Sequence, residues 1–148
     1  MRNKIITLAL SGVALFIMSG CSAKGPQFNG FNEPTKGNSN VYIYRTSSLG
    51  AGVTPNIHDT NLEDSTDKIV GNVKPNGYIM TTITPGMHKF WAKTEVTNEV
   101  NLNIDPNKIY CIKNYISMGF LVGHPQFEIV DMNKCKDEIK ETKLSLQK

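Results

Sequence analysis

From Asn40 to Val130, apolar and polar residues alternate with a period of two, the pattern of strands with one face buried. Val41 and Ile43 alternate with Tyr42 and Tyr44, and Ile69, Gly71 and Val73 with Val70, Asn72 and Lys74. The run Gly77–Ile83 predicts a strand that stops at Thr84-Pro85-Gly86, where Pro and Gly favour a turn. Beyond it His88, Phe90 and Ala92 share one face, and Met87, Lys89, Trp91 and Lys93 the other. Val100, Leu102 and Ile104 alternate with Glu99, Asn101 and Asn103, and Asp105-Pro106-Asn107 reads as a turn. Ile109–Ile116 is strongly β-prone, and Phe127–Val130 predicts a last short strand. The apolar stretch 115–122 is eight residues long, so core strand and turn are expected rather than a membrane span. The period then changes. Met132, Cys135, Ile139 and Leu146 recur at helical spacing, with Asn133 placed to cap the start. The expected fold is mainly β, an antiparallel β-sandwich-like domain over residues 40–148 with one C-terminal α-helix against it.

Two segments before Asn40 lack this alternation. Arg2 and Lys4 precede 13 uncharged, mostly apolar residues, Ile5 to Ile17, which suits a signal peptide and is too short to span a bilayer. Met18-Ser19-Gly20-Cys21 follows directly. Small residues at the two positions before a cysteine are what a lipoprotein signal peptidase requires. Residues 1–20 are therefore expected to be a cleaved lipoprotein signal peptide. Cys21 would take a diacylglyceryl group on its thiol before cleavage and then lead the mature chain. An ordinary secretory signal, or an uncleaved anchor that happens to contain a cysteine, is the alternative. Ser22 is not the aspartate that retains many enterobacterial lipoproteins at the inner membrane, which points to the outer membrane, facing the periplasm. Residues 21–39 carry Gly25, Gly30, Gly37, Pro26 and Pro34 and no apolar period. They read as a lipidated flexible tether spanning ~25 Å on average.

Charge then excludes one class of partner. The net charge of +3 includes Arg2 and Lys4; without them 14 basic residues face 13 acidic ones. The mature chain is close to neutral and has no basic run with interleaved aromatics, so nucleic acid is not an expected partner. Of three cysteines, Cys111 and Cys135 remain once Cys21 carries lipid. In an oxidising compartment they are expected to bridge, with two separate buried thiols as the alternative. Their spacing is not that of a zinc site.

The order of short motifs resembles a known family. Asn40-Val-Tyr-Ile-Tyr-Arg45 is followed by Gly77-Tyr78, then Pro85-Gly86-Met87-His88, then Lys108-Ile-Tyr-Cys-Ile112 and Phe127-Glu-Ile-Val130. Over residues 40–131 this arrangement is similar to the bacterial lipoprotein family catalogued as domain of unknown function 2846. The resemblance implies an exported β-rich lipoprotein and brings no assigned activity.

Candidate chemistry is sparse. His88 stands out because it follows the Pro-Gly turn, although a lone histidine there more simply donates to a backbone carbonyl. Asp59, Glu63, Asp64 and Asp67 are oxygen-rich but lack the spacing of a calcium loop, so a solvated hairpin loop is expected. Ser47-Ser48 near Gly50 and Gly52 has no nucleophile-elbow context. Tyr42, Tyr44, Trp91 and Tyr115 form either an exposed aromatic patch for ligand or peptidoglycan, or core and cross-strand packing. The sequence thus points to a non-catalytic envelope binding or interaction module, with His88, Tyr42, Tyr44 and Trp91 as candidate ligand contacts and no catalytic residue, metal ligand or cofactor. Its partners would be the bilayer, through acylated Cys21, and an envelope protein or peptidoglycan. An enzyme acting on envelope material through His88 and the acidic loop is one alternative; a periplasmic ligand or metal carrier is another.

Overall fold

The computed structural model describes residues 21–148, so the expected signal peptide lies outside the described residues. Nine strands and one helix follow in chain order: β1 (Ser39–Arg45), β2 (Ile57–Asn61), β3 (Asp67–Gly71), β4 (Gly77–Ile83), β5 (Gly86–Lys93), β6 (Thr97–Ile104), β7 (Ile109–Ser117), β8 (His124–Val130), α1 (Met132–Ile139) and β9 (Lys143–Leu144). They form two sheets, ordered β8-β7-β1-β4-β9 and β3-β2-β5-β6. Most pairings are antiparallel, whereas β1 with β7 and β4 with β9 are parallel. The expected mainly β sandwich with one C-terminal helix is what forms.

Alternation decides what each face meets. Val41 and Ile43 of β1, with Ile79, Ile83 and Ile112, face Ile57, Phe90, Ala92, Leu102 and Ile104 of the second sheet, and this is the main core. The other residues of β1, Tyr42 and Tyr44, point away from it into a second cluster with Cys111, Val130, Cys135 and Ile139. All seven residues of β1 are buried, so its strict alternation does not mean one wet face.

The second face is covered by two elements. One is residues 21–39, and here the structure corrects the sequence reading of a free tether. Phe28 and Phe31 pack edge-on against each other at 5.0 Å, and against Tyr42 at 6.0 and 4.9 Å. Asn32 N donates to the Tyr42 hydroxyl at 2.7 Å, Ala23 N to Pro75 O at 3.0 Å and Gly25 N to Leu144 O at 3.0 Å. Glycines and prolines prevent regular structure here without preventing docking, and two aromatic anchors offset the ordering entropy.

The other cover is α1. Asp131, not Asn133, caps it: its Oδ1 accepts from Asn133 N at 2.9 Å and Lys134 N at 3.0 Å. The helix stops at Ile139, where Thr142 Oγ1 donates back to Ile139 O at 2.6 Å. Leu146 therefore lies beyond the helix and is exposed rather than on its apolar stripe. A helix of eight residues is unstable alone and needs its attachments. Cys135 forms a disulfide with Cys111 of β7, with Cα atoms 6.2 Å apart. Glu138 accepts from Tyr44 Oη at 2.6 Å and from Lys113 Nζ at 2.8 Å. Burial, together with that bond to Glu138, pushes the Tyr44 hydroxyl well above its ordinary range. Burial also raises Glu138, but the bonds from Lys113 and Tyr44 outweigh it and hold the carboxyl below its ordinary value.

Replacing Cys111 or Cys135 with Ser is expected to lower stability by about 3 kcal/mol, the loop-closure value for this separation, as read by chemical denaturation under oxidising conditions. A second outcome follows from Glu138. Its depressed folded pKa contributes stability that is complete above its unfolded value of 4.5 and is lost as pH falls through the folded value. Glu138→Gln should therefore flatten the acid limb of a denaturation series. A limb as steep as that of the parent protein would show that this pair does not drive it.

Candidate functional site

The Pro85-Gly86 turn launches β5 so that His88 points inward, into the end of the sandwich. Gly86 has φ 131°, and a Cβ there would fall 3.0 Å from Glu63 Oε1, so the turn needs glycine. β2 pairs antiparallel with β5, placing Asn61 opposite His88 and Asp59 opposite Phe90. Asp59 is then the diagonal neighbour of His88 on the same inner face, a distance that longer side chains can bridge.

His88 Nδ1 donates to Asp59 Oδ1 at 2.7 Å, and both residues are buried. Lys68 Nζ approaches Asp59 Oδ2 at 3.7 Å from a half-exposed position. His88 Nε2 is sealed from solvent and has no hydrogen-bond partner among the described residues. The histidine thus bonds a carboxylate, not the backbone carbonyl expected from the turn. A shallow cavity of about 160 Å³, lined by Asp59, Asp64, Asp67, Lys68, Thr84 and His88, opens beside the pair.

The acidic stretch, expected to be a solvated hairpin loop, is a hairpin whose carboxylates go separate ways. Asp59 turns inward. Asp64 accepts from Thr66 within the turn. Asp67 turns outward on β3 and accepts from Thr60 Oγ1 at 2.5 Å and from His58 Nδ1 at 2.7 Å, bonds that hold it below the usual carboxylate range. Trp91 stacks on His58 with centroids 4.1 Å apart and donates to Thr60 Oγ1 at 2.9 Å. Among the described residues, no three His, Cys, Asp or Glu side chains converge in a way that could hold a metal ion.

The candidate aromatic contacts do not form one patch. Tyr42 and Tyr44 are buried in the second cluster, so neither is available to a ligand. Trp91 is half-buried on the far sheet, and Tyr115 is exposed on β7. Cys21 is exposed with a free thiol, at the mouth of a groove of about 720 Å³ shared with Ala51, Gly52, Lys74 and Leu146.

A further organising residue escaped the sequence reading. Arg45, wholly buried at the end of β1, donates to Ser47 O at 3.1 Å, Leu49 O at 2.6 Å, Gly50 O at 2.9 Å and Val53 O at 2.9 Å. Its fixed fork of donors shapes the loop beside the Cys21 groove.

No family model matches the chain. An uncharacterized protein of Haemophilus influenzae is 30% identical over 117 residues, covering 78% of this chain and 66% of that protein's length. The chain thus spans just under two thirds of that relative. No solved structure matches it.

Asp59→Ala would strand the buried His88 and is expected to cost about 3 kcal/mol. Lys68→Ala, at the rim, should stay within about 0.5 kcal/mol of the parent. Urea denaturation of the two variants distinguishes a structural pair from a dispensable one.

Proposed function

We propose that the mature chain is a lipid-anchored envelope protein, carried by acylated Cys21 at the outer membrane and facing the periplasm. Its β-sandwich serves as a non-catalytic binding or interaction module for an envelope protein or peptidoglycan. The observation that carries the anchoring is Cys21 itself. It follows a charged n-region, a 13-residue apolar segment and two small residues, and its thiol is exposed at the domain surface. A Cys111–Cys135 disulfide suits an oxidising compartment. No helix among the described residues is long and apolar enough to cross a membrane. Membership in the family of domain of unknown function 2846 is proposed on the same footing, from the motifs spread over residues 40–131.

One observation favours a second reading, an enzyme acting on envelope material: Asp59 and His88 form the juxtaposition a general base would use. Against it, the free ring nitrogen is closed off from solvent. Loss of an envelope phenotype in His88→Gln, with stability intact, would favour the enzyme.

Cys21→Ala is expected to abolish incorporation of a fatty-acid analogue and to leave the precursor uncleaved. Equal labelling of parent and variant would remove the lipid anchor from this reading. In sucrose gradients the parent should travel with outer-membrane markers.

A further inference from the structure

The hairpin between β7 and β8 ends in an apolar tip. Met118, Phe120 and Leu121 are 84%, 94% and 81% exposed, where the core strand and turn expected from sequence would have kept them covered. Hairpin tips normally carry polar and turn-forming residues, and clustered apolar exposure marks a contact surface. Leu49 and Val96, on neighbouring loops, are exposed too.

These loops share one end of the sandwich. Leu121 N donates to Glu95 Oε1 at 2.8 Å, and His124 Nε2 lies 2.8 Å from Glu95 Oε2, so the β5–β6 turn braces the tip. Thr94 Oγ1 donates to Gly123 O at 3.1 Å. Gly50 sits so close to the base of the tip that a Cβ there would fall 2.6 Å from Ile116 Cγ2.

Cys21 lies at this same end. It lines one groove with Ala51 and Gly52, the loop that Arg45 organises, and with Lys74 and Lys148. It also has almost no slack. Ala23, two residues later, is buried and bonded to Pro75 just before β4. Two residues reach about 7 Å at most, so a lipid on Cys21 holds this end against the bilayer surface.

We infer that this end is a bilayer-contact face, with Met118, Phe120 and Leu121 entering the lipid beside the acylated Cys21. The inference rests on the lipid-anchored reading above. The anchor and the tip act as two contacts on one rigid body, which fixes the orientation of the domain instead of leaving it to swing. Lys74 and Lys148 then lie near lipid phosphates.

The test uses the full-length chain, expressed with its leader, purified after maturation and reconstituted into phosphatidylethanolamine–phosphatidylglycerol vesicles containing brominated lipid. Phe120→Trp places a fluorophore at the tip. The parent has a single tryptophan, Trp91, so the difference spectrum isolates position 120. The expected result is emission shifted to shorter wavelength and progressively lost as brominated lipid increases. Water-like, unquenched emission from protein that still floats with the vesicles overturns tip insertion and leaves the anchor standing. A shift seen with native envelope membranes but not with protein-free vesicles assigns the tip to a protein partner and also overturns it. Fatty-acid labelling is run in parallel, and a chain that takes up no label overturns both the anchor and this inference.

Discussion

A strand buried on both faces demands two covers, and β1 places that demand on the whole molecule. Its Val41 and Ile43 are met by the second sheet, as in any sandwich. Its Tyr42 and Tyr44 need a separate layer, and one short helix is too small to supply it alone. Residues 21–39 complete the cover through Phe28 and Phe31. The disulfide, the Tyr44–Glu138–Lys113 network and the cap at Asp131 all serve to keep the helical half of that layer in place.

Much of the fold was legible because most strands obey a local rule. The strand Gly77–Ile83 was read to its observed ends, since glycine and the Thr84-Pro85-Gly86 turn bound it. The Cys111–Cys135 pairing followed from parity and from the compartment that a lipidated Cys21 implies. Residues that depend on distant partners were less legible. β2 was hidden in a polar stretch because His58, Asp59 and Thr60 are satisfied by β3 and β5, not by an apolar core. β9 has two residues, too few to show any period. The segment 21–39 has the composition of a linker, and only the presence of an uncovered tyrosine face makes it structural.

The candidate site shows the same division. His88 drew attention from its own turn, but its partner Asp59 lies 29 positions away and reaches it only through strand register. Tyr42 and Tyr44 stood between an exposed patch and core packing, because alternation alone does not say whether the second face of a strand is covered. Arg45 carries no local signal of burial, since nothing in its neighbours indicates that four carbonyls will converge on its guanidinium.

The pairing of residues 25–28 with residues 142–144 has a consequence for how the molecule is made. Gln27 bridges to Lys143, Leu144 N donates to Pro26 O at 2.8 Å, and Gln27 Nε2 reaches Lys140 O across 113 positions. Contacts this distant in sequence form late, after the loop between them has closed. Synthesis delivers the first of these segments long before the second. Until the second arrives, the tyrosine face of β1 stands open with its aromatic partners unsecured, an exposed hydrophobic surface of the kind that chaperones shield.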